Sequence, residues 1–362
     1  MALAKQAAQA DAAAVSRLFR SANAGDAEAA LAVALLYYRG EPVQQDFSVA
    51  LEWLEKAATG GNAVAMTLAG HLYQEGLGTL QNYEKSRRLY EQAADKGYAT
   101  GANNLGWLLL NGLGVAANPA DALKWFMKAG DARHPVALYN IGYVYDEGLA
   151  VKADPSHAIV WYRRSAELGN VIAMKTVARM YRAGRGVARD DPAALQWLEK
   201  AAQLGDAEAS RLAAGLYESG ERIPRTLSAA AALYEKAASA GDALAQLNLG
   251  RLYEQGVGVI RDYLKAAFWY RKAAEQSNAA AQTRLGYLYQ KGLGMEVNMS
   301  DARRWYERAA ALEDANALFN LGLLYEDGIG VERDVDRAFD FYAAAAKRGH
   351  VQAKRMFGNL VR

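Results

Sequence analysis

Nine glycines stand at one spacing. Gly40, Gly76, Gly112, Gly148, Gly184, Gly220, Gly256, Gly292 and Gly328 each follow the one before by 36 residues. A fixed period of this size marks an array of small units, each burying its apolar face against its neighbours. A chain of 362 residues would otherwise suggest two or three globular domains. The period replaces that expectation with growth by stacking. Hydrophobic residues make up 52% of the chain, and much of that is alanine, which favours helix and lets helices approach closely. The chain has 33 glycines and six prolines. The glycines fall mostly at fixed points of the repeat, where they act as punctuation and not as flexible linker.

The unit from Gly241 to Gln276 serves as a template. Gly241-Asp242 reads as a tight turn: glycine closes one helix in the left-handed conformation and the acid caps the next. The pair recurs as Gly25-Asp26, Gly61-Asn62, Gly169-Asn170 and Gly205-Asp206, whereas Ser277-Asn278 keeps the cap without the glycine. Ala245, Leu249, Leu252 and Tyr253 fall on one face of a first helix. Gly250 lies inside that helix, as do Gly70, Gly106, Gly142, Gly286 and Gly322 in theirs, with Ala34, Ala178 and Ala214 in the same register. An internal glycine costs about 1 kcal/mol against alanine. A cost repeated this often implies close approach of a neighbouring helix. Gly256 and Gly258 turn the chain, Val259 plugs the gap, and Asp262 caps a second helix carrying Ala266, Trp269, Tyr270, Ala273 and Ala274. Trp53, Trp125, Trp161, Trp197 and Trp305 share the register of Trp269 and are expected to be core wedges, each burial contributing roughly 2–3 kcal/mol.

The string LGRLYEQGVGVIRDYLKAAFWYRKAAEQ, from Leu249 to Gln276, resembles the Sel1-like repeat of the tetratricopeptide-like superfamily. The strings from Leu285 and Leu321 match equally well. The resemblance implies an all-α fold: a right-handed superhelical solenoid of antiparallel helix pairs. It would form a single domain over 1–362, with a capping helix in 1–24, nine full units in 25–348 and a capping helix in 349–362. In the terminal one, Ala353, Phe357 and Gly358 keep the register. Some units depart from the pattern. The second glycine is replaced by Pro42, Ala150 and Arg222 in the first, fourth and sixth units, whose loops are expected to take another shape. Leu89 and Leu233 replace tryptophan in the second and sixth.

The resemblance also implies a non-catalytic adaptor that binds a partner protein, in bacterial envelope, secretion or toxin-immunity assemblies. By the same analogy, the first-helix face opposite the packed one lines a concave surface. Read along the array, that face shows Asn103, Trp107 and Leu110, then Tyr139, Tyr143 and Asp146, then Lys175, Arg179 and Arg182, then Arg211 and Glu218. An aromatic patch passes into a basic one. Tryptophan, tyrosine and arginine are the residue types enriched in binding hot spots. The face therefore suits an acidic segment with an apolar anchor, and the candidate partner-binding residues are Asn103, Trp107, Leu110, Tyr139, Tyr143, Lys175, Arg179, Arg182 and Arg211. Sugar rings stacking on the same aromatics, in a glycan or peptidoglycan, are the alternative ligand.

Other function classes find little support. The net charge of +2 is too balanced for a nucleic-acid-binding protein. No cysteine is present, which removes disulfides and thiolate metal sites. His71, His134, His157 and His350 show no metal-ligand spacing, and His71 is expected to be exposed. The glycine pairs follow helices, not strands, so they do not read as phosphate loops, and no GxSxG nucleophile motif occurs. The expectation is a monomeric protein with no cofactor and no enzymatic activity. No apolar run is long enough for a membrane span. The compartment is left open: cytoplasmic for a complete chain, periplasmic or secreted where a signal segment has been removed, with Ala2-Leu3-Ala4 as a possible remnant of such removal.

Overall fold

Most helices among the described residues begin on a capping side chain that the repeat supplies, and Tyr98 and Thr226 are the N-cap positions that make no side-chain bond. The computed structural model describes residues 12–360, with side chains as far as Met356. Ala2-Leu3-Ala4 lies outside the described residues, as do the side-chain surroundings of Phe357 and the packing at Gly358. Twenty helices and no strand occur among the described residues, and they fall into two compact units, up to residue 189 and from residue 190.

The first unit holds α1 (Ala12–Asn23), α2 (Ala27–Arg39), α3 (Phe47–Thr59), α4 (Ala63–Glu75), α5 (Tyr83–Asp95), α6 (Ala99–Asn111), α7 (Pro119–Asp131), α8 (Pro135–Glu147), α9 (Pro155–Glu167) and α10 (Val171–Ala183). The second holds α11 (Asp191–Gln203), α12 (Ala207–Ser219), α13 (Leu227–Ser239), α14 (Ala243–Gln255), α15 (Tyr263–Glu275), α16 (Ala279–Lys291), α17 (Met299–Ala311), α18 (Ala315–Asp327), α19 (Val335–Lys347) and α20 (Val351–Leu360). Within each unit, every helix packs on the one before and the one after it in sequence. This is the all-α solenoid of helix pairs that the period implied.

The caps are those expected. The Asp262 carboxylate accepts from the Lys265 N–H at 3.0 Å, and Asp242 does the same for Ala245 at 2.7 Å. Gly256 closes α14 at φ 70° and donates to the Leu252 carbonyl. Where the turn lacks glycine, the geometry persists: Arg133, Ser277 and Glu313 themselves take positive φ. The second glycine of the loop has a separate task. A Cβ on Gly258 would sit 2.3 Å from the Leu227 carbonyl oxygen, so only glycine lets this loop lie on the start of the preceding second helix. In the sixth repeat, which lacks that glycine, Ile223 turns inward and is buried.

The helical glycines show where the core wedge lies. A Cβ on Gly250 would meet the Tyr270 ring at 2.6 Å, and one on Gly106 would meet Phe126 at 2.7 Å. The same pairing joins Gly70 to Tyr90, Gly142 to Tyr162, Gly286 to Tyr306 and Gly322 to Tyr342. The close approach expected at this register is therefore an aromatic ring set against bare helix. Those rings, one position after the tryptophan register, are among the buried residues. The tryptophans expected to be the wedges are less enclosed: Trp53 and Trp197 are buried, but Trp125, Trp161, Trp269 and Trp305 only partly. Lys56, Lys128, Arg164, Lys200 and Arg308, one turn on, each lay a cation over the ring before it. The cation covers buried and partly open indoles alike, attracted by the negative face of the ring.

Candidate partner-binding face

Three of the residues singled out on the first helices stand in a register that, in other repeats, pairs with a buried tyrosine. The hydroxyl of Tyr234 bonds to Glu218 at 3.0 Å and that of Tyr306 to Gln290 at 2.8 Å. Tyr90 bonds to Gln74, Tyr270 to Glu254 and Tyr342 to Glu326. In each case the acceptor stands 16 residues before the tyrosine. A buried phenol needs such a partner, since an unpaired one costs about 1–3 kcal/mol. Leu110, Asp146 and Arg182 occupy this acceptor register. Phe126, which follows Leu110, has no hydroxyl to satisfy, and neither has Leu198, which follows Arg182 in sequence. The repeat therefore releases those two positions from being acceptors. Sequence reasoning missed this coupling, although the recurring Glu/Gln and Tyr pairs carried its signal.

The remaining candidates divide into packed and open ones. Asn103 is buried; it accepts from Asn140 at 2.9 Å and donates to Asn104, tying α6 to α8. Tyr139 is partly buried, its ring centroid 5.1 Å from that of Tyr162. Leu110 and Lys175 are partly buried as well. Trp107 on α6 and Tyr143 on α8 are each 40% exposed. Arg179 and Arg182 on α10 are exposed, and no hydrogen bond or ion pair to either is found among the described residues. Trp107, Tyr143 and Arg179 share one register on successive first helices. His71, expected to be exposed in that register, is partly buried.

The acid of this face is already engaged. Asp146 is buried and its carboxyl oxygen lies 3.1 Å from Arg185. Burial raises its pKa, while Arg185 and Arg179 pull it back down. Burial also drives the Tyr162 phenol upward, with Asp146 adding to the effect. Cations of the second unit stand differently. Arg211 is paired with Asp242 at 3.0 Å, Arg251 with Glu218, and Arg284 lies 3.8 Å from Glu254. Arg211 is thus held by the cap residue of α14.

No group of metal-ligating side chains occurs among the described residues, and no helix there is long and apolar enough to cross a membrane.

The Sel1 repeat model matches residues 26–62, 63–98, 99–134, 135–170, 172–206, 207–242, 243–278, 279–314 and 315–350. Among solved structures, a Sel1 repeat protein from Oxalobacter formigenes is 28% identical with a TM-score of 0.65, covering 88% of this chain and 93% of that one. A protective antigen of uropathogenic Escherichia coli, described as displaying an SLR fold, is 27% identical with a TM-score of 0.59, covering 96% and 82%. No curated protein matches the sequence significantly.

Proposed function

The chain belongs to the Sel1 repeat family, and from that premise we propose that it is a non-catalytic adaptor holding another protein on its first-helix face. One observation carries the reading. Arg179 and Arg182 are exposed without a hydrogen-bonded or ion-paired partner among the described residues, in the same unit as the exposed rings of Trp107 and Tyr143. Arginine binds carboxylates through two parallel hydrogen bonds, and an aromatic surface buries an apolar anchor at small entropic cost. The partner is accordingly a protein segment that is acidic and carries one large apolar side chain. Trp107, Tyr143, Arg179 and Arg182 supply the binding groups. Asn103, Leu110 and Tyr139 set the spacing of the helices beneath them, with Lys175 beside them. Arg211, in the second unit, is an accessory contact at most while Asp242 holds it. This face is the concave one in solenoids of the kind. The work belongs to a monomer, without nucleic acid or cofactor, in the envelope, secretion or toxin-immunity assemblies that the family resemblance implies.

The test compares proteins captured from the native source by the wild type and by a Trp107→Ala, Tyr143→Ala, Arg179→Ala, Arg182→Ala variant of equal thermal stability. All four side chains are exposed, so the variant is expected to fold. One protein bound by the wild type and lost from the variant is the expected result. Identical captures would place binding on another surface. Capture of no protein by either, with retention of a glycan, would replace the reading with sugar binding.

A further inference from the structure

The second repeat lacks its tryptophan, and the structure is open where the indole would lie. In the third repeat Trp125 packs against a buried alanine cluster that includes Ala94 of α5 and Ala102 of α6. One period earlier the same places are held by Ala58, Met66 and, for the tryptophan, Leu89. Those three line a cleft of about 820 Å³ together with Glu55, Gln92 and Asp95. The sixth repeat also carries leucine here, Leu233, yet it is covered differently. Its Lys236, in the register of Gln92, donates a hydrogen bond to the carbonyl of Ala202, which is in the register of Ala58. Gln92 is exposed and makes no such closure.

The neighbouring repeats indicate what fills such a slot. Each of five tryptophans in this register lies under a lysine or arginine one turn later, as Trp125 does under Lys128 at 4.6 Å. The second repeat has neither member of that pair. It has instead two carboxylates at the rim, that of Glu55, one oxygen of which accepts from the Tyr73 hydroxyl, and that of Asp95, beside Lys96. We propose that this cleft is a docking slot for a tryptophan side chain of a partner protein, on a segment that carries a lysine or arginine one helical turn further on. The indole replaces the missing ring against Ala58, Met66 and Leu89, and the cation meets the two carboxylates. The slot is lined by the second helices α3 and α5 and by the start of the first helix α4, and does not depend on the function proposed above.

The experiment uses the full chain labelled with 15N and a synthetic peptide of residues 119–131, which carries Trp125 and Lys128 with the required spacing. Saturable shifts at the amides of Ala58, Leu89 and Gln92 are expected, and a peptide with Trp125→Ala should produce none. Two variants close the slot: Leu89→Trp refills it, and Gln92→Lys covers it as Lys236 covers its counterpart. Either folded variant should bind the peptide about tenfold more weakly or worse, a change of about 1.4 kcal/mol. Gln92→Lys alters only an exposed side chain, so the test stands on it even if Leu89→Trp misfolds. Absence of saturable shifts at the cleft, or equal affinity for the wild type and Gln92→Lys, would overturn the proposal.

Discussion

At the scale of single residues, the repeat is a set of matched pairs. Gly250 is bare because Tyr270 lies on it, and Tyr270 is tolerated in the core because Glu254 takes its proton donor. Ala34 precedes Leu54 and Ala178 precedes Leu198 at the same separation, whereas Ala214 precedes Tyr234, so two of the three alanines stand opposite the smaller leucine. Gly250→Ala is therefore expected to destabilise the protein by about 1–3 kcal/mol through overpacking, despite the better helix propensity of alanine. Tyr270→Leu in the same chain should recover much of that loss, a coupling that a double-mutant cycle in denaturant would measure. Additive effects would refute the pairing. Ser277 is a converse case: it holds positive φ with a side chain where most turns have glycine. Ser277→Gly should raise stability by up to about 1 kcal/mol. At Gly184, φ is +67°, and Gly184→Val should lower the thermal midpoint, since a β-branched side chain opposes that conformation. The turns and caps were legible in the sequence because each depends on one residue's own backbone preference. The wedge was misplaced by one position because periodicity locates a face but does not say which of two adjacent aromatics lies deepest.

At the scale of helices, two caps are made by histidine. His134 accepts from the Ala137 N–H through Nδ1, and His350 accepts from Ala353 in the same way, both at 3.2 Å. The second units of these caps are also defined: Thr100 lies 3.4 Å from His134 Nε2, and Phe319 stacks on the ring of His350. A protonated imidazole cannot accept, so acid removes both bonds. Burial lowers the pKa of both residues, with Asp314 opposing it at His350. A pKa lower in the folded than in the unfolded state favours the neutral form on folding. The contribution is fully present above the unfolded value near 6.5 and is lost as pH falls below it toward the folded pKa. Stability should decline by about 1 kcal/mol between pH 7.5 and 5 from these caps. His134→Asn with His350→Asn should flatten that part of the pH profile in chemical denaturation. An unchanged slope would place the acid sensitivity elsewhere. The face itself was only partly legible. Trp107, Tyr143, Arg179 and Arg182 are open as their register implied, but Asn103 and Tyr139 are drawn into contacts between neighbouring helices. A helical wheel marks the side of a helix; it does not show what the next repeat brings against that side.

At the scale of the whole molecule, the nine matched repeats account for nearly all of the described chain. We propose that they work as a single domain, although the helices divide into two compact units. Calorimetry should then show one endotherm; two resolved endotherms would separate the units energetically. Binding is assigned to the face that carries Tyr143. The most direct measurement is to place a photo-crosslinking amino acid at Tyr143 and to irradiate in the native source, with the same probe at the exposed Phe268 of α15 as control. One protein should crosslink from position 143 through an acidic segment, be absent from the control and be lost when Arg179 and Arg182 are alanine. Crosslinks of the same protein from both positions, or none from position 143 beside a captured partner, would contradict that assignment.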